Sequence, residues 1–479
     1  MKRQKTVRTW GMIVGLALSA TACKGLQVVS KNENSTVPTQ YVATQDTLNS
    51  GQLKWKEFFT DPHLQSLIDT ALSNNQELNI TLREVEIALN EIQARKGEYL
   101  PSVGVNVGSG AEKVGRYTSQ GANDANTDIS PGRATPEVLP DFMIGARMNW
   151  EVDIWHKLRN AKEAQVKRYL STVEGKNFLV TRLISEISRS YYELLALDKQ
   201  LQLVKQNIEI QNNALEIVRL EKQAAKVTEL AVRKFEAEVY HTTSLQYGIQ
   251  QKIIETENRI NFLVGRFPQP VVRSTDDFSN LFPLDMKEGI PSQLLENRTD
   301  IRQAELELQA SKLDVKVAKA QFYPSLNIRA GVGMRAFNPS FFVQAPESMM
   351  FSLVGDLAAP LINRKALKTT YYNANAKQIQ AVYHYEQSIL TGYIEVANQL
   401  SKIGNLKQSY DLQAQQVDAL NQSVDISLSL FASAKADYME VLLTQRDALE
   451  SKFDLVETKM EQMNAMVDLY KALGGGWRN

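Results

Sequence analysis

Seven apolar residues, Ile389, Val396, Ile403, Tyr410, Val417, Val424 and Phe431, recur at one strict seven-residue interval. A stripe that long admits few folds, because it must be the seam of a long helix lying against another helix. The same stripe occurs earlier as Val180, Ile187, Leu194, Leu201, Ile208 and Leu215, and one offset of 209 positions, from Val180 to Ile389, lays each residue of the first on its counterpart in the second. A constant offset of this kind marks a tandem duplication. Two copies of one unit are therefore expected, each built around a long helical hairpin.

Ahead of each long helix the hydrophobic period changes. Asp61-Pro62 predicts a capped helix start, and helical spacing runs, with a break around Asn74-Asn75, to a stop before Pro101. Val103, Val105 and Val107 then alternate with Gly104 and Asn106, and across a Gly/Asn/Pro-rich loop Phe142, Ile144, Ala146, Met148, Trp150 and Val152 alternate with polar or small residues. This is the pattern of an antiparallel hairpin with one apolar and one polar face. The second copy repeats the order, with Leu326, Ile328, Ala330, Val332 and Met334 in one strand and Phe351, Leu353, Leu357 and Leu361 marking the return strand. The predicted fold class is mainly α with β: tandem-duplicated coiled-coil hairpins plus two β-hairpins that contribute four strands. The boundaries read from the chain are a leader over 1–22, a linker over 23–60, a first repeat over 61–265 and a Pro-rich linker over 266–292. A second repeat over 293–473 and a tail over 474–479 follow. Within the repeats, the β-hairpins fall at about 101–154 and 324–361 and the helical turns near 224–228 and 433–438.

Basic and acidic side chains balance at 54 each, so no polyanion partner, and no nucleic acid, is implied. The four histidines are scattered singly and there is one cysteine, which leaves neither a disulfide framework nor a clustered metal site to build. Neither a phosphate loop, a zinc-protease helix nor a defensible nucleophile constellation is found, so a non-enzyme without a cofactor is expected. Lys2, Arg3, Lys5 and Arg8, then an apolar run from Trp10 to Ala20 and the small residues Ala20-Thr21-Ala22, read as an export signal that ends at Cys23. Such an ending resembles a bacterial lipoprotein signal, which predicts a covalent lipid on Cys23. The alternative is ordinary cleavage nearby.

Each strand has the length and alternation of a tilted transmembrane strand, yet four strands cannot close a barrel, and an open edge cannot sit in lipid with unpaired amides. Several copies must therefore share one barrel. The polar face, with Arg147, Asn149, Glu151, Asp153, Asn327, Arg329 and Asp356, would line a wet lumen.

The runs WKEFF from Trp55, LQSLIDTALSNNQEL from Leu64, EYLPS, WEVDIWHKLR from Trp150 and GIPSQLLENRTDIRQAE from Gly289 carry a resemblance, as do DYMEVLLTQRDALES from Asp437 and LYKALGGGW from Leu469. Nearly the whole chain after Cys23 resembles the TolC-like outer membrane factor family, in its lipoprotein branch that serves RND-type efflux pumps. The resemblance implies a homotrimer with a twelve-stranded outer-membrane barrel and a periplasmic duct of long helices. It further implies a periplasmic membrane-fusion adaptor and an inner-membrane RND-type transporter as partners. The chain departs from the family at Thr299, where proline is usual, near Asn363, and at Lys226 and Lys435, where the helical tips usually carry glycine. A passive exit duct for drugs or other small amphiphiles is the expected function. A type I protein-secretion duct and a purely structural coiled-coil lipoprotein are the alternatives.

Two sets of candidate site residues follow. The helical tips, with Lys226, Leu230, Lys435, Met439, Val441 and Leu442, are expected to dock the adaptor. Asp411, Asp418 and Asp425, with Glu209 and Glu216 at equivalent places, lie one residue after the heptad seam. Triplicated around a trimer axis, Asp418 and Asp425 would form acidic rings at a cation-favouring gate. A solvated outer face is the plain alternative for such a stripe.

Overall fold

The computed structural model describes residues 29–41, 48–274, 278, 286–360, 364–433 and 435–478, so the lipidation candidate Cys23, and Leu361 and Asn363, lie outside the described residues. In chain order the main elements are α1 (Pro62–Asn74), α2 (Gln76–Tyr99), β1 (Ser102–Glu112), β2 (Leu139–Val152), α3 (Lys157–Gln223) and α4 (Glu229–Val264). They continue as α5 (Thr299–Ala320), β3 (Ser325–Ala336), β4 (Met349–Ala358), α6 (Lys365–Ala432) and α7 (Tyr438–Ala472). The order helix, strand, strand, long helix, shorter helix thus occurs twice. At about 1.5 Å per residue α3 and α6 are each about 100 Å long.

The chain divides into two compact units. One, formed by Pro101–Asn160 and Ser311–Val382 with the described residues 29–33, carries the sheet. Its strands do not stay as two separate hairpins. β2 also pairs with β3 from Phe142↔Ala336 to Val152↔Leu326, giving one antiparallel sheet in the order β1-β2-β3-β4. The register puts like beside like. Val105, Ala146, Val332 and Phe351 form one cross-strand row, and Val103, Met148, Ala330 and Leu353 the next, all on one face. That apolar face is uncovered: Val105 is 75% and Phe351 88% exposed.

The other unit, formed by Asn34–Leu100, Ala161–Ala310 and Tyr383–Asn479, is helical. Local chemistry sets its element ends. The Asp61 carboxylate accepts from the backbone N–H of His63 at 2.8 Å, with Pro62 at the first helical position. Asn75 both ends α1 and caps α2, accepting from Leu78 N at 2.9 Å. Thr299 opens α5 at a position whose N–H has no helical partner, which is why threonine can stand where proline is usual. The core lies along the heptad seams. Ile187, Leu194, Leu215, Ile389 and Val396 are buried, and the remaining members of both stripes are half-buried. The aromatic residues near Trp55 belong to the same core: Phe58 stacks on Tyr470 with centroids 4.1 Å apart, and the Tyr470 hydroxyl donates to Leu53 O at 2.8 Å. Each large side chain buried this way contributes about 1.5–3 kcal/mol.

Candidate functional site

In the sheet unit the candidate lining is the face opposite the apolar rows. Arg147, Asn149, Asn327, Arg329 and Asp356 share it, with Arg329 and Asp356 on neighbouring strands joined at 3.0 Å. Toward the far end, Arg335 makes a two-pronged pair with Asp141, both contacts 2.8 Å. Between them this face carries Gly104, Gly145, Gly331 and Gly333 interspersed with Asn106, Arg147, Ser352 and Met350. Gly145 and Gly333 sit directly opposite each other; a Cβ on Gly145 would lie 2.9 Å from Val332 O, and one on Gly333 only 2.7 Å from Gly145 Cα. At these positions there is no room for a side chain, and the missing Cβ atoms let the two strands lie close and leave the face open between its larger residues. The result is a concavity of about 560 Å³ with Asn106, Arg147, Asn149, Arg329 and Ser352 in its wall.

Asp153 does not join that face. β2 ends at Val152, and the Asp153 carboxylate, only 1% exposed, accepts from Leu158 N at 3.0 Å and Arg159 N at 2.9 Å, closing the start of α3. The alternation read from sequence runs one step too far because an acidic helix cap and a polar strand position look alike.

In the helical unit the two turns lie side by side around a concavity of about 570 Å³ lined by Lys226, Val227, Thr228, Phe431, Asp437 and Tyr438. At the first turn Lys226 N donates to Glu221 O at 2.9 Å and Ala225 N to Lys222 O at 2.9 Å. This helix-ending bond pair puts Ala225, at φ 59°, in the left-handed position. The strained residue is therefore Ala225 and not Lys226. At the second turn Lys435 N makes the equivalent bond to Leu430 O at 2.9 Å. Lys226, Leu230 and Lys435 are exposed and Met439 is half-buried. Val441 and Leu442 are buried with Val218 and Phe235 in the apolar cluster beneath the turns, so they support the tips from inside. Charges brace the first hairpin: Arg219 bridges Glu216 at 2.6 Å and Glu236 at 3.0 Å, while Arg233 reaches Glu236 at 2.8 Å. Hydrogen bonds from Arg219 and Arg233 hold the Glu236 carboxyl below the usual carboxylate range.

Asp411, Asp418 and Asp425 are all exposed, one per heptad along α6. Their surroundings differ. Asp418 accepts only from Gln422 Nε2, at 2.9 Å, among the described residues. Asp425 lines a concavity of about 310 Å³ with Asn207, Asn421, Gln445 and Lys452. Burial pushes the Lys452 amine below its ordinary value and the Asp425 charge works against that shift. Glu209 and Glu216 are exposed as well, Glu216 being occupied by Arg219.

One buried charge went unread in the sequence. Arg298, 5% exposed, binds Asp300 at 2.6 and 3.0 Å, Glu395 at 2.6 Å and Ala472 O at 3.0 Å. Burial opposes its charge, but the two carboxylates more than offset it and its pKa is raised. It ties the start of α5 to α6 and to the end of α7. The LYKALGGGW ending has a steric reason beside it: a Cβ on Gly474 would meet Asn297 O at 2.6 Å, one on Gly475 would enter the Tyr470 ring, and Trp477 Nε1 donates to Gly474 O at 3.0 Å. The signal for Arg298 was present, an arginine immediately before a helix whose second residue is Asp300.

Comparison with known proteins adds three findings. A family model described as outer membrane efflux protein matches residues 67–266 and 290–475. The pyoverdine export outer membrane protein OpmQ of Pseudomonas aeruginosa is 26% identical over 440 residues, 92% of this chain and 91% of that protein; the probable outer membrane lipoprotein SilC of Salmonella typhimurium is 23% identical over 463 residues, 95% and 96%. Among solved structures, CusC, described in terms of folding and transmembrane channel formation, superposes with a TM-score of 0.81 at 22% identity, covering 94% of this chain and 99% of that one.

Proposed function

The chain belongs to the outer membrane efflux protein family and is an outer membrane efflux channel, and from that premise we propose that it is the exit duct of a tripartite pump, working as a homotrimer. The observation that carries this reading is the sheet. Among the described residues β1 and β4 are each paired on one side only, and the apolar face beside them is bare. Four strands in that condition need further strands on both edges and lipid against the face. Three copies supply twelve strands, the number the family resemblance implies, and the glycine-lined, ion-paired face then surrounds water. The duct is passive: its substrates are chosen by the inner-membrane transporter and adaptor, and small amphiphiles pass through.

Three finer assignments belong to this proposal. Cys23 carries the lipid, a reading that the name of SilC supports. Lys226, Leu230, Lys435 and Met439 present the adaptor-docking surface around the shared concavity of the turns. Asp418 and Asp425 supply the acidic gate. A protein-secretion duct remains the second reading, and the pyoverdine export named for OpmQ favours the small-molecule one. Native mass spectrometry in detergent, followed by single-channel recording from the same preparation, tests the core claim. A folded monomer with no trimer, or a trimer without conductance, overturns it.

A further inference from the structure

The end of the sheet from which the long helices leave is ringed by basic and aromatic side chains that the duct reading does not use. Three short stretches meet there: 155–160 at the start of α3, 316–323 at the end of α5, and 364–372 at the start of α6. Together they hold seven bases, Lys157, Arg159, Lys316, Lys319, Arg364, Lys365 and Lys368, and not one acid, although basic and acidic residues are equal in number over the whole chain. The stretches are in contact. Trp155 stacks on Tyr323 with centroids 4.8 Å apart and donates from Nε1 to Pro324 O at 2.7 Å. The Arg364 guanidinium lies over the Phe322 ring at 5.0 Å, and Tyr371 meets the same ring edge-on at 6.1 Å.

Internal pairing does not account for this charge. Lys157 is taken by Glu151 at 2.5 Å, and Arg159 lies 3.7 Å from the capping Asp153. Lys316, Lys319, Lys365 and Lys368 are exposed and have no carboxylate partner among the described residues. Nor does the helix field explain it. Cations are disfavoured at a helix start, yet α3 and α6 both begin with bases and neither has an acid in its first turn. The duplication keeps the arrangement, since Arg159 and Lys368 are equivalents under the 209-residue offset. Directly beyond the collar lie the bare apolar rows of the sheet, with Leu357 70% exposed near their end.

We propose that this collar is a docking surface for the phosphate headgroups of anionic phospholipids, in the leaflet nearest the long helices. The partly exposed rings of Trp155 and Tyr323 and the exposed lysines beside the apolar rows match the chemistry of a headgroup layer. The inference rests on the outer membrane location of the sheet and is independent of what passes through it.

The test reconstitutes the full-length trimer into nanodiscs of zwitterionic phospholipid containing a minor share of phosphatidylglycerol, then measures the lipids retained by native mass spectrometry. The parent protein should enrich phosphatidylglycerol about threefold over the bulk ratio. The variant with Lys316→Gln, Lys319→Gln, Lys365→Gln and Lys368→Gln should fall to the bulk ratio, while four Lys→Arg changes should keep the enrichment. Single-channel conductance, unchanged in all three, separates failure of this proposal from failure of the duct reading. Equal enrichment in the Gln variant overturns the collar; so does displacement by free inorganic phosphate, which would make it a soluble-anion site. If the Gln variant does not assemble, the parent protein in high salt decides, because enrichment that salt leaves intact is not electrostatic.

Discussion

Tyr191 in the helical unit and Val105 in the sheet unit both sit in long regular elements, yet Tyr191 is 0% and Val105 75% exposed. The contrast is one of cores, since the helical unit too leaves side chains such as Phe262, 78% exposed, on its surface. The helical unit closes its own core, with Ile187, Leu194, Ile260 and Ile301 out of solvent and Tyr191 donating to Asp61 at 2.6 Å. The sheet unit aligns its apolar rows and leaves them bare, spending its precision on register instead. The difference teaches where each unit finds its stability: the helices from their own chain, the strands from cross-strand fit and from the membrane outside.

The largest expected effect tests the register itself. Gly333→Leu would drive a side chain into Gly145 and the Ile144 carbonyl, so β2 and β3 could not pair. Assembly of the oligomer in the outer membrane should be lost, whereas Val105→Ala on the apolar face should leave it intact. An assembled Gly333→Leu protein would show that β2–β3 pairing is dispensable. Next in size is a pair of arginines. Arg298 is buried among two carboxylates and a carbonyl, and Arg298→Ala should cost about 3–5 kcal/mol because those groups lose the cation that pairs them. Arg335, 57% exposed at its bond to Asp141, should cost less than about 1 kcal/mol when changed to Ala. Denaturant unfolding followed by helical circular dichroism checks both, and similar midpoint shifts would erase the distinction between the units.

Much of this was legible because periodicity is a direct physical record. The heptad seams became the buried or half-buried lines of α3 and α6, and Val103, Val105 and Val107 fell on one face of β1. What escaped were contacts between residues far apart in the chain. Pairing of β2 with β3 joins two repeats, and nothing near Trp150 or Ile328 announces it. Asp153 was assigned to the strand because a cap cannot be told from a polar strand position until the helix start is known. Val441 and Leu442 read as a docking motif, yet their burial under the turn comes from α3 and α4, which sequence neighbours do not reveal.

The smallest expected effect compares two members of one acidic stripe. Asp418 and Asp425 lie one heptad apart on α6, but Asp425 stands beside Lys452 whereas Asp418 accepts from the Gln422 amide. An adjacent ammonium offsets much of a carboxylate's field, so the two charges should not contribute equally to ion selection in a narrow pore. In planar bilayers Asp418→Asn should lower the cation-to-anion permeability ratio about twofold, and Asp425→Asn by less. Changing both should also weaken block by multivalent cations. Lys452→Gln should act in the opposite sense, raising the permeability ratio while leaving Asp425 in place and bringing the effect of Asp425→Asn up to that of Asp418→Asn. Raised ionic strength should shrink all of these differences, since exposed charges are screened over about 8–10 Å at moderate salt. Equal, full selectivity in every variant would put the stripe on an outer face and move the gate to another part of the helices.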